Sequence, residues 1–476
     1  DYMDTSFRSM YLGLSAFLSA NKDRRDLLLS QREPEFDTSF DARIVAASDD
    51  FSRITLKAQA ARDYFLLIGP PGTGKTSRAL RGMVEAFYRE GKQILLLSYT
   101  NRAVDEICKT LSVITPEIDF IRIGSELSCD PPFRSRLIEN VLEPCSTRRE
   151  VHARIERCRV FVGTVATFSS KTDMFRLKTF DVAIVDEATQ ILEPQLLGLL
   201  CARNVVGNNA IGKFILIGDH KQLPAVVLQS ESQSEVCEEC LQSIGLYNLK
   251  DSLFERLYRT VSANHSSPTT QRFYDMLCRQ GRMNVEVARF PNHAFYGGLL
   301  EAVGLPHQQG ELVLAPGLEN DEFADVLVSR VAFLPSVPET PSQSAKINHS
   351  EAQLTARLAA AVYRQYEVSG SGFHSALTLG VITPYRSQIA LIKSEIAALG
   401  IPVLNDILVD TVERFQGSER DVIIYSFCVN RTYQLKFLAN LTEERGVWID
   451  RKLNVALTRA RKQLFMTGVP HLLRQN

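Results

Sequence analysis

The sequence predicts an α/β protein built on parallel sheets, and three observations carry the prediction. An apolar run of strand length, Tyr64-Phe65-Leu66-Leu67-Ile68, meets Gly69-Pro70-Pro71-Gly72-Thr73-Gly74-Lys75-Thr76. That turn fits G-x-x-x-x-G-K-[ST], and a helical pattern through Ala79, Leu80, Met83 and Phe87 follows it. Further apolar runs recur, each leading into a polar cluster and then a helical stretch, which is the alternation of a parallel α/β sheet. The second half of the chain repeats this logic less regularly and has no P-loop of its own.

Composition sets the outer limits. The 476 residues allow about three domains and enough interior to bury cores without covalent staples. A formal net charge of −1 offers no global basic field, so any nucleic-acid surface must be local. Nine scattered cysteines argue for a reducing compartment and against a disulfide framework. Cys237 and Cys240 form the one C-x-x-C; without a second pair or a nearby His pair they predict a surface helix rather than a zinc site. No apolar run reaches spanning length and no signal peptide stands at the start, so no membrane partner is expected. The expected location is the cytoplasm of a bacterium, or the nucleus if the source is eukaryotic, and not the secretory route. The chain opens on Asp1 rather than Met, which is compatible with an upstream domain of the same polypeptide.

In chain order, residues 1–45 read as a helical approach segment, with one amphipathic stretch (Tyr11, Leu14, Phe17, Leu18) and a short run at Leu27, Leu28 and Leu29 halted near Pro34. From Asp41 a helical pattern (Ile44, Val45, Phe51, Ile54, Ala58) leads to the P-loop strand. Gly91 caps the following helix, and 93–98 is a buried strand that delivers Tyr99-Thr100-Asn101-Arg102 to the surface. Residues 116–158, with weak periodicity, Pro131-Pro132 and a solvated basic face (Arg148, Arg149, Arg154, Arg157), read as an insertion between strands. Strands at 160–162, 182–185 and 214–217 then end in Gly163-Thr164, in Asp186 to Gln190 and in Gly218 to Pro224. Ligands gather beyond the carboxyl ends of such strands. Residues 300–350 read as loops, and strands follow at 379–382, 407–409 and 422–425. A last helix spans 453–461, and 464–467 is a closing strand.

The clusters fit phosphoryl chemistry. Glycines let the P-loop backbone approach a polyphosphate, successive N–H groups cradle it, Lys75 reaches the terminal phosphates and Thr76 offers a hydroxyl to Mg²⁺. Asp186 would hold the metal while Glu187 positions and deprotonates water, and Gln222 would sense the γ-phosphate. Arg282 and Arg459, in the half without a P-loop, are the candidate guanidiniums for the γ-phosphate across an interdomain cleft.

Taken together, Gly69 to Thr76, Ser98 to Asn101, Val185 to Gln190, Gly218 to Pro224, Val381 to Tyr385, Val412 to Glu419 and Leu453 to Arg461 resemble the superfamily 1 helicases in order and spacing. The resemblance covers about residues 40–470 and is strongest to the 5′-to-3′ branch, with its replication nuclease-helicases and nonsense-mediated-decay helicases. It implies two tandem RecA-like parallel-sheet domains, at 46–265 and 266–476, with ATP and Mg²⁺ bound between them. It assigns Lys75, Thr76, Asp186, Glu187, Gln222, Arg282, Gly417, Glu419 and Arg459 to the nucleotide, and Thr100, Asn101, Thr164, Thr383, Tyr385 and Thr411 to a single strand. Short hydroxyl and amide side chains grip phosphates without reading bases, as a tracker that releases each nucleotide must. The chain departs from the family at Gln280-Gly281-Arg282-Met283, where the usual Tyr is Gly281, and at the adenine-reading glutamine, for which Gln59 lies close to the P-loop.

The expected activity is therefore an ATP-dependent 5′-to-3′ translocase and helicase on single-stranded DNA, acting as a monomer. The alternatives are a nucleotide-dependent switch or scaffold that does not translocate, and the motor half of a larger nuclease-helicase.

Overall fold

Runs of Val, Ile, Leu and Phe without polar alternation suit strands covered on both faces, which is the condition of a parallel sheet between helices. The computed structural model describes residues 5–114, 117–227, 229–263, 270–339, 344–444 and 446–475, and these runs build one parallel sheet in each of two units.

The first unit comprises 1–70, 74–220 and 224–277. Its strands are β1 (Tyr64–Ile68), β2 (Ile94–Ser98), β3 (Phe120–Ile123), β4 (Val160–Thr164), β5 (Phe180–Asp186), β6 (Ile211–Gly218) and β7 (Tyr274–Met276). They lie in the order β3-β4-β2-β5-β6-β1-β7, every neighbour parallel. Alternate residues of one strand feed two cores. Leu66, Leu95, Leu97 and Val185 pack on one face, while Phe65, Leu67, Ile94, Leu96 and Ile184 pack on the other. Because the chain leaves β1 for β2 on the far side of β5 and β6, the polar ends of β1, β5 and β6 converge at one edge of the sheet.

The second unit comprises 71–73, 221–223 and 278–476. Its sheet holds β8 (Val331–Pro335), β9 (Leu379–Ile382), β10 (Leu408–Asp410), β11 (Arg420–Ser426) and β12 (Ala460–Gly468) in the order β8-β12-β11-β9-β10, again all parallel. Two parallel α/β sheets are the architecture of two tandem RecA-like domains.

Three expectations change. The stretch 116–158 is not wholly an insertion, because β3 forms an edge of the main sheet; its four residues include Arg122, whose buried charge breaks the apolar run. The loop-rich stretch 300–350 contains β8, an edge strand whose Val331 and Phe333 stay exposed. The last helix stops at Leu457 and β12 starts at Ala460, so Arg459 stands in the short link between them. The boundary drawn at 265 and 266 lies outside the described residues.

Candidate nucleotide and strand sites

In the first unit the P-loop leaves β1 and enters a wide helical turn, Lys75–Leu80, that continues as the helix Arg81–Arg89. Gly72 and Gly74 have φ of 73° and 77°, in the left-handed region that favours glycine. Gly69 is needed for another reason: a Cβ there would come within 2.7 Å of the Lys75 Cβ, so the lysine side chain folds back over it.

Lys75 Nζ meets Glu187 Oε1 at 2.8 Å. Burial alone would lower the lysine pKa, but the Glu187 and Asp186 carboxylates outweigh it and hold the ammonium above its ordinary value. Thr76 Oγ1 donates to Asp186 Oδ2 at 2.6 Å, and Glu187 N donates to Asp186 Oδ1 at 2.9 Å. Burial pushes the Asp186 carboxyl up, with Lys75 pulling the other way and Glu187 adding to the rise. Glu187 leaves β5 at φ 56° and ψ 36°, a left-handed conformation that a non-glycine residue adopts at a cost of order 1–3 kcal/mol, recurrent at functional sites. That kink turns its carboxylate to Lys75 and to Gln190, whose Nε2 donates to Glu187 Oε2 at 3.0 Å.

In the second unit, Arg282 Nε donates to Glu419 Oε2 at 2.6 Å and its Nη1 to the Thr458 carbonyl at 3.3 Å. Glu419 is pushed up by partial burial, but Arg282 and then Arg461 outweigh this and hold it below the usual carboxylate range. Gln280 Oε1 accepts from the N–H groups of Arg282 and Met283 at 2.9 and 2.8 Å and so shapes the turn that presents the arginine. Arg459 is buried among oxygens: Nε reaches the Val455 carbonyl at 3.0 Å, Nη1 the Ser418 carbonyl at 3.4 Å and Nη2 the Gln222 Oε1 at 3.3 Å. Gly281 N donates to the Gly72 carbonyl at 2.8 Å, and a Cβ on Gly281 would meet nothing closer than 3.4 Å, so the site has room for a larger residue. Gly417 is exposed with φ 76°. Pro70 and Pro71 are buried within the loop, as is Thr73.

The candidate strand residues divide by exposure. In the first unit Thr100 is exposed and caps the helix Asn101–Ser112, its Oγ1 accepting from Ala103 N at 3.2 Å, with Asn101 half-buried behind it. Thr164 is buried and caps the next helix through Thr167 N at 3.1 Å. In the second unit Tyr385 and Thr411 are half-buried, and the Tyr385 hydroxyl accepts from Gln434 Nε2 at 3.1 Å. Thr383 is fully buried and its Oγ1 has no hydrogen-bond partner, which leaves a hydroxyl with unused capacity at the end of β9. A surface-only picture of phosphate-gripping hydroxyls therefore fits Thr100 and not Thr164 or Thr383. Cys237 and Cys240 are exposed thiols, and among the described residues no group of three or more His, Cys, Asp or Glu is placed to hold a metal.

Gln190 and Gln280 stand inside the motifs quoted above, but the sequence does not show that their amides orient Glu187 and the Arg282 turn. Glu187's left-handed backbone was equally silent.

Two family models, both described as AAA domains, match this chain, one over residues 249–471 and the other over 48–155 and 145–230. It is 28% identical over 489 residues to the DNA replication ATP-dependent helicase/nuclease DNA2 of Bos taurus, covering 96% of this chain and 41% of that protein. With the DNA replication ATP-dependent helicase/nuclease JHS1 of Arabidopsis thaliana it shares 28% over 486 residues, 98% of this chain and 32% of the other. The chain thus spans less than half the length of these relatives. Among solved structures it is similar to Arterivirus nonstructural protein 10, a helicase in complex with DNA, at a TM-score of 0.41 and 13% identity, over 89% of this chain and 65% of that one.

Proposed function

Because the chain belongs to the superfamily 1 helicases, we propose that it is an ATP-dependent motor that translocates 5′-to-3′ on single-stranded DNA and unwinds duplex, with motor domains at 46–265 and 266–476. The observation that carries this reading is the set Lys75, Thr76, Asp186 and Glu187, joined by contacts of 2.6–2.9 Å at the carboxyl edge of one parallel sheet. Phosphates would be gripped by the backbone of Gly69 to Thr76 and by Lys75. Glu187 would take the proton of the attacking water, and Gln222 would orient that water. Arg282 and Arg459 are assigned to the charge that develops on the γ-phosphate, with Gly417 and Glu419 shaping that grip.

A divalent cation fits these donors. The Thr76 hydroxyl and the Asp186 carboxylate are 2.6 Å apart and present only oxygen, the donor type of Mg²⁺, which typically takes one or two protein ligands and completes its shell with phosphate and water. Thr76 and Asp186 would hold it, and its charge would neutralise the phosphate oxygens. Thr100, Asn101, Thr164, Thr383, Tyr385 and Thr411 are assigned to the strand.

A nuclease-helicase motor is supported as a second reading because both relatives are named helicase/nucleases and the match covers 41% and 32% of them. Function as a monomer, in the nucleus of a eukaryote or the cytoplasm of a bacterium, accompanies this proposal; no helix of the described residues is long and apolar enough to cross a membrane.

The deciding experiment is unwinding of 5′- and 3′-tailed DNA and RNA duplexes, with ATPase rates measured with and without single strands. ATPase stimulated by single-stranded DNA and unwinding from the 5′ tail are expected. Equal ATPase with and without DNA, and strand affinity unaltered by a non-hydrolysable nucleotide, would instead mark a switch.

A further inference from the structure

We propose that Gln434 is a positioning residue for the single strand: it holds the Tyr385 hydroxyl as an acceptor, so that the phenol proton is left to donate to a strand phosphate. The inference rests on the assignment of Tyr385 to the strand proposed above and concerns only the second unit.

Gln434 is buried at the end of the turn Thr432–Gln434, and its amide can face only one way. Its Oε1 accepts from Asn430 N and Arg431 N, both at 2.9 Å. Backbone N–H groups only donate, so this atom must be the oxygen. Its Nε2 donates to the Ala345 carbonyl at 2.8 Å and to the Tyr385 hydroxyl at 3.1 Å, with the Cys428 carbonyl farther off at 3.4 Å. The amide nitrogen carries two hydrogens, and the two shorter contacts use them. The Tyr385 oxygen is therefore an acceptor in this bond, and its own O–H is directed to no acceptor among the described residues. Burial pushes the phenol pKa up, against the pull of Gln434, so the group keeps that proton.

The surroundings hold this geometry in place. Tyr385 stands immediately before the helix Arg386–Ala398, just beyond β9. Gln388, in the first turn of that helix, pairs with Asn348 in both directions: Asn348 N donates to Gln388 Oε1 at 2.8 Å, and Gln388 Nε2 to the Asn348 carbonyl at 3.0 Å. Asn348 Nδ2 donates to Asn430 Oδ1 at 2.8 Å, and Asn430 Nδ2 to the Ala345 and Ile347 carbonyls at 3.1 and 2.6 Å. The buried amides Gln388, Asn348, Asn430 and Gln434 thus clamp residues 345–348 between the Tyr385 helix and the Gln434 turn. The bond to Tyr385 leaves that cluster for a half-buried residue and joins no backbone segments.

A hydroxyl that donates to a phosphate oxygen makes a charge-assisted hydrogen bond and carries no base information. A carboxylate or carbonyl in place of the Gln434 nitrogen would draw the phenol proton inward and turn oxygen lone pairs towards the anion. An obligate donor behind the hydroxyl prevents this.

The test is fluorescence anisotropy of a labelled oligothymidylate with the full chain and its variants, at one fixed salt concentration. Tyr385→Phe should weaken the strand about ten-fold. Gln434→Glu keeps an acceptor for Asn430 N and Arg431 N and has at most one hydrogen, which the nearer Ala345 carbonyl claims, so the phenol turns inward. It too should cost about ten-fold, and adding it to Tyr385→Phe should cost nothing further. A merely structural amide would weaken the strand by the same factor with or without the hydroxyl, and that additive result overturns the proposal. Fluorotyrosine at position 385, a more acidic phenol and a stronger donor, should tighten binding about two-fold, which tests donation even if Gln434→Glu fails to fold. Unaltered or weaker binding with fluorotyrosine overturns the proposal, as does Tyr385→Phe that binds like the parent. Failure of the parent chain to bind the oligonucleotide would overturn the strand assignment first, and the role of Gln434 with it.

Discussion

Each unit holds an arginine or lysine of the candidate nucleotide site against a carboxylate, and the two pairs differ in their setting. In the first unit Lys75 and Glu187 meet at 2.8 Å with side-chain exposures of 17% and 15%, beside the buried Asp186. In the second, Arg282 and Glu419 meet at 2.6 Å, but Glu419 is 43% exposed and shared with Arg461 at 3.6 Å. Arg282, at 14%, is as covered as Lys75, so water screens the second pair at its carboxylate and reaches neither member of the first to that extent. The first pair suits a fixed catalytic centre. The second leaves Glu419 partly open to solvent and shared between two arginines.

The largest effect is therefore expected in the first unit. Lys75→Ala and Glu187→Gln should each lower ATP turnover about 10³-fold or more while leaving single-strand affinity within about three-fold, read by steady-state ATPase and fluorescence anisotropy. Lost strand binding would show that the pair holds the fold and not the chemistry. In the second unit, Arg282→Ala should lower kcat about 10³-fold, the order expected for an arginine acting on a transferring phosphoryl group. Glu419→Gln should cost about ten-fold, since it removes only the group that positions the arginine. If Glu419→Gln proves as severe as Arg282→Ala, Glu419 itself meets the nucleotide and the contrast between the units fails.

How far this was legible in the sequence follows from the range of each signal. The P-loop and Asp186-Glu187 are short contiguous patterns, and their strands are apolar without interruption, so class, strand order along the chain and most candidate residues could be read directly. Strands with mixed exposure escaped: β8 alternates buried Leu334 with exposed Phe333 and Pro335, and β3 is interrupted by Arg122, which is paired inside the protein with Asp105. Helix propensity through Leu457-Thr458-Arg459-Ala460 masked the break before β12, because tertiary pairing with β11 overrides local preference there. Gln280 and Gln190 act on neighbours only two or three residues away, inside motifs visible in the sequence, but the residue type alone does not tell which group each amide turns to.

An effect on stability and not on turnover carries the comparison into the core of the second unit, where Glu351 is a buried carboxyl whose hydrogen-bond donors are neutral. Ser426 Oγ donates to it at 2.8 Å, Cys428 N at 2.9 Å and Ser336 Oγ at 3.2 Å. Burial pushes its pKa up to about 7, and these donors only moderate the rise. Glu187 has Lys75 for compensation; Glu351 has dipoles alone. A carboxyl raised in the folded state contributes stability that is complete below its unfolded value near 4.5 and is lost as pH rises through about 7. Glu351→Gln removes that titration while keeping the shape of the neutral acid. The stability difference between variant and parent should then move in the variant's favour between about pH 5 and about pH 8, by up to about 3 kcal/mol, measured by urea unfolding at both. A difference that stays constant across this window would mean that three neutral donors stabilise the buried carboxylate as well as a cation does.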